Sequence, residues 1–328
     1  MLKAAGIVDY AVILAYLLAL IWIGRFFSSY NRNMEDFFRG GSKLPWWVAG
    51  ISAFMAGFSA WMFTGGAGVV YERGPVGMLA LCTGLLGTFA GWLVFAKRWR
   101  RARVTSMFQY VSTRFNLPSQ QLMSWFFVPM NLLYCSTVLL ATSIFITAAL
   151  GISELDLAAL GLPWHYTLSA VQFTIILSGG VILTYCYFGG LLAVATCDVL
   201  SFLIIIPLAV LIVPLVLLKL GDSGSVMRLF STPEAFHVPA DKSILGEPIT
   251  FFFVLMWLVS NIHSYNTNPI VQRYWSVPDE NQARKVALSC TVLFVFGVAV
   301  WSVPPLAVRH LFPDLSSVWT SLKAPAEG

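Results

Sequence analysis

The stretch from 53 to 68, AFMAGFSAWMFTGGAG, lies in an apolar segment long enough to cross a bilayer, yet glycine, serine and threonine crowd its middle. A helix interrupted within hydrocarbon leaves backbone N–H and C=O groups unpaired, which is tolerated only where those groups are buried in protein or line a cavity. The segment 251–269 has the same character, because it begins as an apolar helix and ends in SNIHSYNTNP. The sequence therefore predicts two interrupted membrane helices.

The composition of the whole chain supports a membrane protein. Apolar residues make up 58% of the 328 residues and charged residues 11%, and the mean hydropathy is +0.77. Ordinary soluble domains are roughly 45–50% apolar and about 25% charged. The first apolar run, 7–27, has no basic leader and no Ala-x-Ala exit, so we interpret it as a retained helix. The five cysteines lie in apolar runs without metal-ligand spacing, which predicts free thiols.

Apolar runs of about 20 residues, the length that a helix needs to cross a bilayer, occur about eight times in the chain. They lie at 7–27, 46–70, 76–96, 120–150, 167–188, 191–218, 248–268 and 286–308. We therefore predict an all-α integral membrane protein with about eight transmembrane helices.

Lysine and arginine concentrate in three connections, which the positive-inside rule assigns to the cytoplasm. These residues are Arg25, Arg32, Arg39 and Lys43, then Lys97, Arg98, Arg100, Arg101, Arg103 and Arg114, and finally Arg273, Arg284 and Lys285. The loop 151–165 has no lysine or arginine and carries Glu154 and Asp156, so we place it and the N-terminus outside. Loop topology accounts for the net charge of +5, and nothing indicates a nucleic-acid partner.

The chain lacks the patterns typical of enzymes and ATP-driven pumps. No serine lies in a nucleophile-elbow sequence. The run GGSK at 40–43 lacks the spacing of a phosphate-binding loop. We predict no enzymatic activity and no cofactor. Two interrupted helices in one membrane chain are instead typical of the binding site of a secondary transporter.

Two further positions have alternative explanations. Asp198 lies at membrane depth, eight residues after Gly190, where an acid usually faces a bundle interior or a wet pathway. The alternative is an interfacial anchor or cap. Asn131 and Tyr134 follow Pro129, which predicts a kink with polar neighbours that lines a cavity. Hydrogen bonds between helices explain such residues equally well.

Several short motifs, in their order along the chain, resemble those of the sodium:solute symporter family. They are DY at 9–10, DFFRGG at 36–41, LPWW at 44–47, SAW at 59–61 with TG at 64–65, GGLLAV at 189–194 with Asp198, NPIVQRY at 268–274 and ARK at 283–285. The resemblance runs from about 7 to 308. It implies the inverted-repeat fold of LeuT-type transporters, preceded by one extra helix.

This resemblance implies a division of the chain into three parts. Residues 1–45 form the leading transmembrane helix and a cytoplasmic loop, 46–218 the first five-helix repeat, and 219–328 an extracellular loop and the first two helices of a truncated second repeat. The chain is then the N-terminal part of a symporter in the plasma (inner) membrane. The implied function is coupled transport of a cation, Na⁺ as the coupling ion, with a small polar solute by alternating access.

The resemblance also implies binding residues. Na⁺ is expected at the backbone carbonyls of Met55 and Phe58, with Asp198 on its release path. A hard cation needs more than two oxygens, so hydroxyl ligands are expected beyond Gly328. The candidate solute contacts are Ser59, Trp61, Met62, Thr64, Tyr134, Asn261, Tyr265 and Asn266.

The nature of the solute stays open at this stage. Proline-transporting relatives have an aspartate where this chain has Gly57, and sugar-transporting relatives have a polar amide where it has Met62. Asn266 is the one position that matches an amide of the sugar carriers. The alternative function is a transporter-like input domain of a sensor protein, which a kinase-like region downstream of Gly328 would indicate.

We predict that a cysteine replacing Glu154 reacts with an impermeant thiol reagent in intact cells, whereas a cysteine replacing Arg103 does not. The reason is the unequal distribution of positive charge between the two sets of loops. Labelling on a cysteine-free background measures this directly, and the opposite pattern would invert the topology.

Overall fold

The computed structural model describes residues 6–58, 62–63, 65–152, 155–156, 167–221, 251–267 and 269–312. The regular structure of these residues is helical, apart from one antiparallel ladder of β1 (Leu155–Asp156) and β2 (Thr167–Leu168), which the sequence analysis did not predict. The helices are α1 (Ile7–Phe27), α2 (Met34–Arg39), α3 (Trp46–Gly57), α4 (Gly65–Arg73), α5 (Pro75–Ala90), α6 (Ala96–Arg101), α7 (Met107–Arg114), α8 (Leu117–Leu150), α9 (Ala170–Leu220), α10 (Phe251–Ser264), α11 (Ile270–Trp275) and α12 (Glu280–Leu311).

Helical stretches long and apolar enough to cross a membrane confirm a multi-pass membrane protein. In the described part of the chain they are Ile7–Tyr30, Pro75–Arg101, Leu117–Leu150, Ala170–Leu220 and Glu280–Leu311. The 51-residue helix α9 contains both predicted spans 167–188 and 191–218. The predicted span 46–70 is divided into α3 and α4, and the described helix within the predicted span 248–268 is the 14-residue α10.

The first interruption follows Gly57, where α3 ends. Phe58 is extended, with φ −95° and ψ 116°, and its N–H donates to the Met55 carbonyl over 3.0 Å. The next described α-helix, α4, begins at Gly65. The interruption predicted in the stretch 53–68 is therefore confirmed at Phe58.

The second interruption lies between α10 and α11. Helix α10 ends at Ser264, the chain turns at 265–267, and α11 begins at Ile270 after Pro269. Asparagine and proline favour such a stop, because proline provides no N–H to continue the ladder. The interruption predicted in the segment 251–269 is also confirmed.

Helix α9 bends sharply at Gly190, which has φ 56° and ψ −155°. Only glycine adopts this conformation readily. The bend also has no room for a side chain, since a Cβ at Gly190 would lie 2.8 Å from the Phe37 carbonyl oxygen. On the same side, the Asn31 side chain donates to the Phe188 carbonyl over 3.0 Å. Asn31 and Phe37, both in the connection between α1 and α3, therefore contact α9 at the bend.

Helix α1 packs on α9 on both sides of this bend. Its Leu20 and Ile23 form a small buried cluster with Val181 before the bend and with Ala193 and Cys197 after it. The larger core lies among α3, α5, α11 and α12. Its largest fully buried side chains include Phe54, Tyr274, Trp275 and Phe294.

Helix α12 begins at a capped N-terminus. The Asp279 carboxylate accepts from the backbone N–H groups of Asn281 at 2.8 Å and Gln282 at 2.9 Å. The N–H of Gln282 holds the pKa of Asp279 below its ordinary range. This cap defines where the last described membrane helix starts.

We predict that Gly190→Ala lowers the stability of the purified protein in detergent, by about 1–3 kcal/mol for the strained backbone alone. The Cβ would in addition press on the Phe37 carbonyl. Thermal unfolding measures the change. Gly180→Ala is the matched control in the same helix, because no atom lies within 4 Å of its added Cβ. Equal effects of the two substitutions would contradict the bend.

Candidate solute and cation site

The two interruptions touch each other through Tyr265. This residue follows α10, is 8% exposed, and lies against Gly57 at the end of α3. A Cβ at Gly57 would be 2.9 Å from Tyr265 Cε1 and 3.0 Å from Phe294 Cζ. The absence of a side chain at 57 is therefore what lets the two breaks meet.

Glycines on α5 form the other side of the slot that holds the Tyr265 ring. Added Cβ atoms would lie 3.2 Å from the ring at Gly84 and 3.0 Å at Gly87. The ring thus fits between α3 and α5 only because both helices present backbone there. The sequence analysis proposed Tyr265 as a solute contact, and its position between the breaks supports that role without testing it.

Aromatic rings surround the first break. Trp301 of α12 packs on Phe54, with centroids 5.9 Å apart and planes at 9°, and on Phe58 at 5.2 Å. Phe294 lies 5.9 Å from Trp301 and 5.1 Å from Tyr265, so it connects the two breaks. The sequence analysis missed Phe294 and Trp301. Their spacing of seven residues on a buried helix was the signal that could have found them.

The predicted sodium ligands, the carbonyls of Met55 and Phe58, flank the end of α3. The Met55 oxygen accepts the Phe58 N–H, and the extended Phe58 turns its own carbonyl out of the helical ladder. Backbone oxygens are the kind of ligand that a hard cation takes. The described residues contain no cluster of three or more His, Cys, Asp or Glu side chains that could hold a metal.

Asp198 forms a buried ion pair. Its Oδ2 lies 3.3 Å from Arg273 NH2 and 2.5 Å from the Ser52 hydroxyl. The side chains of Arg273 and Asp198 are 5% and 22% exposed. Arg273 also donates through Nε to Ser52 Oγ at 3.0 Å and through NH1 to the Pro269 carbonyl at 3.0 Å. This set of bonds joins α9, α3 and α11.

Ser52 fixes where this cluster lies relative to the predicted sodium ligands. It is three residues before Met55 on α3, so it lies about 4.5 Å from it along the helix axis. Sequence analysis counted Arg273 among the charges of a cytoplasmic connection, and the structure buries its side chain within α11. The partners of Asp198 were missed because Ser52 and Arg273 are 146 and 75 residues away in sequence.

The two predicted asparagines of the second break turn towards α5. Asn261 donates to the Thr83 hydroxyl over 2.9 Å. Asn266 donates to the carbonyls of Gly87 and Ile262 at 2.9 and 2.8 Å, and its buried Oδ1 has no hydrogen-bond partner among the described residues. Both amides secure the break to its neighbour, and their role as solute contacts stays a prediction.

Of the other predicted solute contacts, the structure describes Met62 and Tyr134. Met62 is buried beside the first break, and Tyr134 on α8 is 67% exposed. The Asn131 amide donates to Phe127 of its own helix. Ser59, Trp61 and Thr64 lie outside the described residues.

Two of the connections that carry clustered lysine and arginine contact α11 and the residues that follow it. Phe38, Ser42 and Leu44 bind residues 272–276, and α6 binds Trp275 and the first residue of α12. The bonds run from Gln272 to the Phe38 carbonyl (2.8 Å), from Ser42 to the Trp275 carbonyl (3.0 Å), from the Leu44 N–H to the Ser276 carbonyl (3.0 Å), from Trp275 to the Trp99 carbonyl (3.0 Å), and between Arg101 and Glu280 (2.7 Å).

Paired interrupted helices, carbonyls at a break and a buried acid define a helical membrane protein of the transporter type. The chain belongs to the sodium:solute symporter family, whose model matches residues 37–313. It is therefore a member of a transporter family and not an enzyme.

Comparison with known proteins agrees with this membership. The chain is 26% identical over 277 residues to the sodium/sialic acid symporter SiaT of Proteus mirabilis strain HI4320, covering 82% of this chain and 51% of the relative. It is 23% identical over 306 residues to the high-affinity proline transporter PutP of Bacillus subtilis strain 168, covering 89% and 59%. The chain thus spans somewhat more than half the length of these relatives.

A solved structure shares the fold. A substrate-bound, outward-open Na⁺-coupled sialic acid symporter superposes with a TM-score of 0.73 at 20% identity, over 98% of this chain and 64% of that one. This likeness establishes the helical architecture.

We predict that Gly57→Ala destabilises the protein by about 1–3 kcal/mol, the usual effect of overpacking. The Tyr265 ring cannot move aside, because Gly84 and Gly87 confine it on the other face. Thermal unfolding in detergent measures the change. Gly68→Ala is the matched control, since its Cβ would meet nothing within 4 Å. If the two variants unfold alike, the breaks do not meet as described.

Proposed function

We propose that the protein carries out Na⁺-coupled symport of a small polar solute by alternating access. The observation that carries the proposal is the meeting of the two interrupted helices, with Tyr265 against Gly57. Transporters place solute and ion at such breaks, because unwound backbone offers free carbonyls and helix ends. The relatives named for sodium symport of sialic acid and for proline transport support the same function.

We further propose that the chain comprises about eight transmembrane helices in a LeuT-type arrangement. Residues 1–45 contribute the leading helix, 46–218 the first repeat, and 219–328 the loop and first two helices of the second repeat. The superposition on a longer symporter and the breaks in α3–α4 and α10–α11 support this division. The proposed location is the plasma (inner) membrane, with the N-terminus outside.

For the cation, we propose a site at the Met55 and Phe58 carbonyls. Na⁺ requires several oxygens, so this site needs further ligands besides these two carbonyls. Na⁺ that enters down its gradient binds the solute-binding conformation more tightly than the other conformation. Na⁺ binding therefore stabilises the solute-binding conformation. No resident cofactor is part of the proposal.

Asp198 is proposed to draw the cation inward from this site. The acid lies beside Ser52, one helical turn inward from Met55, and both of its described side-chain bonds use Oδ2. In this conformation the Asp198 carboxylate is paired with the Arg273 guanidinium. A departing Na⁺ would compete with the guanidinium for Asp198, and the inner halves of α3 and α11 would loosen as it did.

We expect Asp198→Asn to raise the Na⁺ concentration for half-maximal uptake about 10-fold, the effect of about 1.4 kcal/mol. The amide keeps the shape of the side chain and loses its charge. Solute uptake against a Na⁺ titration, normalised to protein in the membrane, measures this. Glu280→Gln is the control, because it breaks the exposed ion pair with Arg101 on the same side of the molecule.

Asp198→Asn leaves a buried Arg273 without its partner, which destabilises the folded protein by about 3–5 kcal/mol. A second variant is therefore needed to separate this effect from an effect on the cation. The double substitution Asp198→Asn with Arg273→Gln removes both charges together. If Asp198 acts on the cation, the double variant keeps the raised Na⁺ requirement. If the pair is only structural, the double variant recovers wild-type Na⁺ dependence, and the proposed release role fails.

A further inference from the structure

Trp301 of α12 carries a buried hydrogen-bond donor without an acceptor. The residue is 4% exposed, and its Nε1 has no hydrogen-bond partner in the described part of the chain. By contrast, the buried indole of Trp275 donates to the Trp99 carbonyl over 3.0 Å. An indole N–H can only donate, and leaving it unpaired in a buried place is unfavourable.

The same turn of α12 has further unpaired polar groups. Ser302 is fully buried and its hydroxyl has no hydrogen-bond partner among the described residues. Other membrane-span hydroxyls, such as Thr291 and Ser201, bond to the carbonyl four residues earlier. Pro304 and Pro305 provide no N–H, so the carbonyls of Val300 and Trp301 lose their helical donors. Such a turn is unfavourable in hydrocarbon unless a partner arrives in another conformation.

The position of the indole indicates what that partner is. The ring covers Phe58 at the first break and contacts Phe294, which in turn contacts Tyr265 at the second. A group that separated Trp301 from Phe58 would enter the space between the two interrupted helices. The proposed solute and cation occupy this region of the protein.

We propose that Trp301 is a solute-binding residue whose indole N–H donates to an oxygen of the transported solute when α12 and α3 part at Phe58. This inference rests on the proposed function and deepens it. In the described structure, where Trp301 packs on Phe58, the indole N–H is unpaired. In the solute-bound conformation it would be paired with the solute. Solute binding therefore gains a hydrogen bond that the closed state lacks, which favours the loaded conformation.

The surroundings restrict the chemical class of the solute. The rings that Trp301 contacts are those of Phe54, Phe58 and Phe294, which suit an apolar body. The indole supplies a donor, for which a carboxylate is the strongest acceptor. A carboxylate among these rings would have its charge paired by the cation proposed at the adjacent Phe58 carbonyl, whereas a polyol would leave several hydroxyls unpaired. The site therefore fits a small carboxylate with an apolar body better than a sugar.

The test measures solute-induced stabilisation of the full-length protein in saturating Na⁺. The probes are L-proline, L-leucine, butyrate and benzoate, with D-glucose and glycerol as polyols. We expect at least one carboxylate, and neither polyol, to raise the unfolding temperature of the wild type. Trp301→Phe keeps the packing of an aromatic ring and removes the N–H, so it should raise the half-saturating carboxylate concentration about 5- to 20-fold. Trp22→Phe, on the exposed face of α1, is the control and should not.

Three results would overturn the inference: wild-type carboxylate binding by Trp301→Phe, stabilisation by polyols alone, or stabilisation by none of the probes. Stabilisation by Na⁺ without solute separates this failure from that of the proposed function. If Na⁺ alone stabilises the wild type and Trp301→Phe equally while solute binding is unaffected by the substitution, the inference fails and Na⁺ coupling stands. If Na⁺ stabilises neither protein, the proposed function itself fails.

Discussion

Hydrocarbon offers no hydrogen-bonding partners, so every membrane helix that stops midway must have its free backbone groups met by the rest of the protein. Two helices of this chain stop in that way, at Gly57 and at Ser264, and the structure places the two ends in contact. Glycines on α3 and α5 make this possible, because they leave a slot in which the Tyr265 ring lies against backbone on both sides. The proposed binding region is a consequence of that packing.

The ion pair of Asp198 and Arg273 holds α9, α3 and α11 in a defined arrangement. Removing two charges from water is unfavourable, and the attraction between them offsets this only when further hydrogen bonds complete the set. Ser52 supplies such a bond by donating to Asp198 while it accepts from Arg273. The net stability gained from such a pair is small, whereas breaking it on one side only is costly. A cluster of this kind is suited to hold helices together in one conformation and to change its partners in another.

The buried polar groups without partners near the first break also indicate contacts that change between conformations. Trp301 Nε1 and Ser302 Oγ are buried without hydrogen-bond partners in the described residues, while most hydroxyls of the spans bond to their own helix. Native proteins leave few buried donors unpaired, and those few call for a physical reason. One such reason is a second conformation in which a bound ligand provides the missing hydrogen-bond partner. The aromatic rings around Trp301 then define the apolar side of the same site.

The amino-acid sequence by itself determined the membrane location, the long helices and the two interruptions. These follow from local properties: the length of apolar runs, the loss of an N–H at proline and the freedom of glycine act on a residue and its near neighbours. The bend of α9 is of this kind, since Gly190 alone permits its backbone conformation. The motifs at 36–41, 189–194 and 268–274 were also enough to indicate the family.

Only the tertiary structure decided which residues meet. Sequence analysis chose Asp198 for its charge at membrane depth and could not find Ser52 or Arg273, which lie 146 and 75 residues away. It named Asn261 and Asn266 as solute contacts from the family resemblance, and the structure turns their amides towards α5. It passed over Trp301, because a tryptophan on an apolar helix has no sequence mark that distinguishes a packed ring from a donor without an acceptor. Hydrogen-bond partners and burial depend on distances between segments remote in sequence, and only the packing of the helices sets those distances.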